Sequence, residues 1–198
     1  ELIKELIKHY KEKEMLIRVL PNRDQIIEII KREEVDGDID GTTLPSFVKG
    51  SLMYVIKEDL IDDLKNLSSK PGFSFNSLLQ CDYSDPLYSL TIYSNCFSFS
   101  LLQAAAFYGA VNCFKYAMMN GCKLNEKTCM YAIAGGNSEI IHILQQKGYK
   151  FNECLNISVM FHHNDLFKWL SSHFYYNPVE LFNCINYFNE GIFFYYLE

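Results

Sequence analysis

The sequence predicts an all-α fold: a solenoid of short helical hairpins, each about 27 residues long, behind an N-terminal helical cap. The first observation is self-similarity. Aligning Gly109 with Gly136 puts Ala105 on Ala132, Gly121 on Gly148, Leu124 on Phe151 and Asn125 on Asn152, an offset of 27 residues. The stretch from Asn137 to Leu144 then falls on His163 to Leu170 at an offset of 26, and Glu153 to Asn156 falls on Glu180 to Asn183 at 27. The second observation lies inside the unit. Ala105 and Ala106 precede Gly109, and the apolar pair Cys113 and Phe114 follows at helical spacing until Gly121. Alanines let two short helices approach closely, and a glycine between them supplies the positive φ that ends the first helix. The third is the recurrence itself: one hairpin cannot bury its apolar face without a stacked neighbour, so a repeating hairpin implies a stack.

From the N-terminus, residues 1–45 read as the cap. Leu2, Ile3, Leu6, Ile7 and Tyr10, then Leu16, Val19 and Leu20, have the three-and-four spacing of an amphipathic helix that Pro21 ends. Asn22 with Gln25 resembles a capping box before a second helix carrying Ile26, Ile27, Ile29 and Ile30. Asp36, Asp38 and Asp40 with Gly41 look like the first half of a calcium-binding EF-hand loop. The twelfth position is Phe47, where such a loop needs a bidentate glutamate, and the expectation is an acidic turn with no metal site. Residues 46–76 form a degenerate first unit, with helices near Leu52 to Ile56 and Leu60 to Leu67 and an ending, Gly72 to Asn76, that parallels Gly121 to Asn125. Residues 77–98 read as an irregular insertion: Asp85-Pro86 interrupts them, and Leu87 to Phe99 lacks helical spacing. Residues 99–198 are the regular repeats, the last truncated. Asn125, Asn152 and Asn177 sit where an Asn side chain caps a helix, and Asn137 and Asn164 could cap the second helices of their hairpins.

Leu102, Ala105, Ala106 and Gly109, then Phe114 and Lys115, then Gly121 and Asn125, resemble the ankyrin repeat, and Gly136 to Ile141 with Gly148 and Asn152 resembles it again. The wording is most similar to a divergent, shortened ankyrin-like domain family of unknown function found in protists. Two departures matter: no copy has the Thr-Pro-Leu-His opening, and the period falls about six residues short of the usual 33. Those residues would come from the projecting finger that ankyrin proteins often use to grip partners. The resemblance further implies a concave groove lined by the residues before each inter-helix turn, here Phe107, Tyr108, Met160, Phe161, Tyr187 and Phe188, with Tyr131 on the same face. Aromatics bury much area with few rotors to freeze, which suits a protein- or peptide-binding surface. The competing reading is that shortened repeats rotate and take these residues into the core.

With 49% hydrophobic residues among 198, the chain can bury a sizeable core, and a net charge of -6 without a lysine or arginine cluster argues against nucleic acid. No leader and no bilayer-length apolar run is legible, so the expectation is a cytoplasmic protein without membrane association. Seven cysteines without a Cys-x-x-Cys pair argue against a disulfide framework, and Cys113 and Cys129 occupy apolar repeat positions. His142, His162, His163 and His173 lack convergent spacing with Cys129 or Cys154, so neither enzymatic activity nor a cofactor is expected. The function the residues and the resemblance suggest is a non-catalytic module binding a partner protein or peptide. The alternative is an architectural or self-associating segment of a longer protein, motivated by the apolar C-terminal run from Gly191 to Leu197, which needs another repeat or a second copy of itself for cover.

Overall fold

The structure is a computed structural model, and it describes residues 50–81, 85–95, 98–174 and 181–197. The expected N-terminal cap, its acidic Asp36–Gly41 loop and the Asn177 cap lie outside the described residues. What is described is mostly helical. A first hairpin pairs α1 (Leu52–Lys57) with α2 (Ile61–Ser68). Next come a two-residue strand β1 (Leu78–Leu79), a helix α3 (Pro86–Tyr93) and its partner strand β2 (Phe99–Ser100). Four further hairpins follow: α4 (Leu101–Tyr108) with α5 (Val111–Met119), α6 (Lys127–Gly135) with α7 (Ser138–Gln146), α8 (Cys154–Met160) with α9 (Asn164–His173), and α10 (Leu181–Asn186) with α11 (Glu190–Leu197).

The hairpins stack. The first helices form one row in which α1 packs on α4, α4 on α6, α6 on α8 and α8 on α10, while α2, α5 and α7 pack in sequence behind them. The row is tight at α4, where Ala104, Ala105 and Ala106 are fully buried. Gly135, the last residue of α6, comes so close that a Cβ there would lie 2.4 Å from the carbonyl oxygens of Ala106 and Phe107. Phe114, Phe151, Phe167, Ile140 and Leu144 are fully buried and belong to the core.

The turn inside every hairpin holds a residue at positive φ: Asp59 (51°), Gly109 (67°), Gly136 (71°), His162 (59°) and Phe188 (52°). Only two are glycine. The left-handed conformation costs an L-residue roughly 1–2 kcal/mol, so three hairpins hold this turn against local preference, through packing. Hydrogen bonds between successive turns show how. Asn137 Nδ2 donates to Gly109 O, a His163 ring nitrogen bonds Ala134 O, and Asn189 Nδ2 donates to Val159 O. Each of these side chains belongs to the residue just before the second helix of its hairpin and reaches back to the previous unit.

The corresponding residue of the second hairpin is Ala110, which has no side chain to offer. The bond runs the other way there. Asp59, on the first turn, accepts from Cys113 N at 2.8 Å and from Asn112 N and Nδ2 at 3.1 and 2.8 Å, capping α5 from the neighbouring unit. Loss of a cap costs about 1–2 kcal/mol. Asp59→Ala is therefore expected to lower the urea midpoint by that stability, and an unchanged midpoint would show the cap to be idle.

Among the expected caps, Asn137 accepts from Glu139 N and Ile140 N, and Asn125 Oδ1 accepts from Thr128 N. Asn164 instead is the first residue of α9, where its Oδ1 accepts from Asn189 Nδ2. The parallel endings of the first two hairpins lie side by side, with Lys123 N donating to Asn76 Oδ1 and the Cys122 thiol to Phe75 O.

Residues 77–98 depart from expectation, because the supposedly irregular insertion contains α3. Its start has a clear local cause: Asp85 Oδ1 accepts from Leu87 N at 2.8 Å, and Pro86 takes the first helical position, where its missing N–H costs nothing. Its apolar and hydroxyl residues alternate without a single stripe, which hides the helical period; Leu87, Ser89, Leu90 and Thr91 are all buried. Ser77-Leu-Leu-Gln80 and Ser100-Leu-Leu-Gln103 share their letters and differ in structure. The first supplies strand β1 and the second a full capping box, in which Ser100 Oγ accepts from Gln103 N and Gln103 Oε1 from Ser100 N.

Candidate interaction surface on the first helices

The residues expected to line a groove sit mostly at the C-terminal ends of the first helices, where each chain turns toward its second helix. The close approach of α6 to α4 sets their spacing. Phe107 ends up half-buried, edge-on to Tyr108 at 5.2 Å between ring centroids and to Phe161 of the fourth hairpin at 5.7 Å. This bridges two units that are not neighbours in the row. It is possible because the intervening positions are Ala134 and Gly135, too small to separate the rings. Met160, Tyr187 and Phe188 are also half-buried, and Tyr187 O bonds a ring nitrogen of His162 at 2.8 Å. Phe188 is the residue at positive φ in its turn.

Tyr131 departs from expectation. It is 1% exposed, its ring against Phe99 at 6.4 Å, so it belongs to the core and offers no surface to a partner. The reason is its place in the middle of α6, a helix drawn against α4 by Gly135.

The insertion also takes part in this surface. The Tyr108 hydroxyl donates to the Asp85 carboxylate, with both oxygens at 2.6 Å, and Lys57 Nζ lies 5.9 Å from the centre of the Tyr108 ring. Burial first, and then this carboxylate, hold the Tyr108 phenol far above its usual range. At the other end of α3, Tyr93 lies near enough to Tyr187 to help push its phenol up, after burial. Asp85 and Phe99 thus engage Tyr108 and Tyr131. The legible signal was Asp85-Pro86, a helix start read only as an interruption.

His142 is exposed and bonded to Gln146, while His162 and His163 lie at a turn, as their repeat positions suggested. Among the described residues no group of three or more His, Cys, Asp or Glu could hold a metal ion, and no helix is long and apolar enough to cross a membrane. Cys113, Cys122, Cys129, Cys154 and Cys184 are buried and unpaired with one another, and Cys81 is half-buried. Burial pushes the thiols of Cys113 and Cys129 up to about 12, helped at Cys113 by Asp59 and at Cys129 by Glu126. At pH 8 such a thiol is ionised about once in 10⁴, against about a quarter for a free one near 8.5. Native-state alkylation of these two, read by mass spectrometry, is expected to run at least a thousandfold slower than in urea. Labelling at the denatured rate would remove the burial account. The unfolded chain releases these protons near pH 8.5 and the folded chain near 12, so their contribution to stability is complete below pH 8 and is lost as pH rises between the two values.

A family model described as a domain of unknown function (DUF3447) matches residues 119–196, less than half of the 198 residues. The matched stretch covers the third, fourth and fifth hairpins. Comparison with curated proteins and with solved structures returned no match.

Proposed function

We propose that the chain is a short ankyrin-like solenoid that works as a non-catalytic module, binding a partner protein or peptide across the row of first helices. The observation that carries this reading is the half-exposed cluster of Phe107, Tyr108 and Phe161, three aromatic rings from two separate hairpins sharing one surface. Partly exposed aromatics held by packing make good anchors, because little side-chain entropy remains to be lost on binding. The ankyrin-like part rests on the period near 27, the paired helices in two rows and the bonds between successive turns. A cytoplasmic, reducing setting belongs to the same reading and is supported by the buried, unpaired thiols.

The test is affinity capture with the wild-type chain and a Phe107→Ala, Phe161→Ala variant shown by circular dichroism to be folded. A partner held by the wild type and lost from the variant is the expected result. Equal retention by both would place binding elsewhere. A second reading is favoured by one specific feature, the outer face of the last hairpin, where Phe182 (63%), Ile185 (54%), Phe194 (59%) and Leu197 (59%) are exposed together. An apolar face of this kind needs a further repeat or a second copy of the chain to cover it. Under that reading the chain self-associates through α10 and α11, and light scattering showing a strict monomer at high concentration would end it.

A further inference from the structure

The apolar residues exposed on the last hairpin fall into two sets, and the turns supply the register that separates them. Gly109, Gly136, His162 and Phe188 hold the positive φ of their hairpins, so positions counted from them are equivalent. Three residues before the turn stand Ala106, Ile133, Val159 and Ile185, and eight residues after it stand Ala117, Leu144, Leu170 and Tyr196. The first three of each column are fully buried, while Ile185 and Tyr196 are exposed. This is the stacking face, which the following hairpin covers: Gly135 of α6 comes up against Ala106 of α4, and Tyr195 and Tyr196 of α11 meet Phe167 of α9. One more hairpin would cover it on α10 and α11 too.

The second set is different. Six residues after the turn stand Lys115, His142, Lys168 and Phe194, and nine after it stand Met118, Gln145, Ser171 and Leu197. Lys115, His142, Lys168, Gln145 and Ser171 are exposed although a further hairpin follows each of them, so a stacked unit does not reach this outer side of the second helix. Only α11 carries large apolar residues at both positions, and both are exposed. A further repeat would leave Phe194 and Leu197 in water, and whatever covers them extends past the footprint of a repeat.

We propose that the occupant is a second copy of the chain, packed α11 against α11 about a two-fold axis, with Phe194 and Leu197 at the centre of the contact. The proposal rests on the self-association reading and adds the contact and its symmetry. Charge selects this arrangement. Glu190 is the one charged residue between Leu181 and Leu197. An antiparallel crossing at Phe194 holds the two Glu190 positions roughly 12 Å apart along the helix axis, beyond the ~8 Å over which charges act at physiological salt. Among the described residues, the first hairpin exposes Lys57, Glu58, Asp62, Asp63 and Lys65, so a head-to-tail pairing would set the apolar face against charged side chains. A closed pair follows in place of an open filament.

The experiment is sedimentation velocity on the full chain, from micromolar to near-millimolar concentration, beside a Phe194→Lys, Leu197→Ser variant. Those substitutions place on α11 what α9 carries at the same positions, Lys168 and Ser171, and circular dichroism checks that the fold accepts them. The wild type is expected to form dimers and nothing larger, and the variant to associate at least tenfold more weakly. In the wild type, hydrogen exchange of the α11 amides is expected to slow as concentration rises, while that of the α4 amides does not change. A strict monomer overturns the proposal together with the self-association reading. Growth past the dimer, or dimers that persist in the folded variant, overturns the two-fold contact and leaves self-association standing. Exchange in α11 that ignores concentration overturns the contact as well, and that measurement decides the matter if the variant does not fold.

Discussion

Gly135→Ala is expected to destabilise the chain by about 3 kcal/mol, at the upper end of what one added methyl costs in a packed interior. The new Cβ would stand 2.4 Å from Ala106 O and Phe107 O and 2.8 Å from Phe107 C. All three are backbone atoms in the last turn of α4, where Gly109 N donates to Ala106 O and Ala110 N to Ala105 O, so they cannot swing aside as a side-chain tip would. Relief requires α6 to move away from α4. That movement opens the alanine contact and shifts Phe107 relative to Phe161, so partner binding is expected to weaken along with stability. Gly148→Ala is the control. Nothing lies within 4 Å of its Cβ position, and only its φ of 80° opposes the change, a cost of roughly 1–2 kcal/mol. Urea denaturation of both variants decides the matter: a Gly135→Ala loss no larger than that of Gly148→Ala would show that the helices have room to separate.

Asn189→Ala is expected to cost about 2 kcal/mol and to act mainly on the last hairpin. Asn189 is 1% exposed, and its amide works in three directions. Oδ1 accepts from Ile192 N at 3.1 Å, capping α11, while Nδ2 donates to Val159 O at 3.0 Å and to Asn164 Oδ1 at 2.9 Å. Truncation removes a cap and leaves buried polar groups without this partner, losses of roughly 1 kcal/mol or more each, softened where a group keeps another bond. Val159 O is such a group, since it still accepts from His162 N. Because the donors and acceptors involved belong to the fourth and fifth hairpins, hydrogen exchange is expected to quicken in α11 and to stay unchanged in α4. Uniform acceleration through both helices would mean that the stack opens only as a whole.

The hairpins were legible where the signals are local. The first pair was expected near Leu52 to Ile56 and Leu60 to Leu67, and its helices are Leu52–Lys57 and Ile61–Ser68. Apolar spacing, a cap and a glycine at positive φ act within one turn of chain, and Gly109 and Gly136 take the conformation that their sequence position suggested. Where the turn residue is His162 or Phe188 the same conformation is imposed by the neighbours, and only the repeat period pointed to it. Helix α3 was missed because its two-sided burial erases the stripe that a periodicity reading looks for, although Asp85-Pro86 marked its start.

The surface was legible to a lesser degree. Phe107, Tyr108 and Phe161 do share one cluster, yet Tyr131, read from the same face, is core. By itself the sequence determined which stretches of the repeats become helices and where those with a glycine turn, because each of those is fixed by residues a few positions apart. Tertiary structure alone decided which aromatics reach the surface, that Asp59 caps α5 for the side chain Ala110 lacks, and that α3 lies against Tyr108. Those outcomes depend on how closely neighbouring helices approach, a distance set by contacts such as Gly135 against Ala106, between residues that no local stretch of sequence holds together.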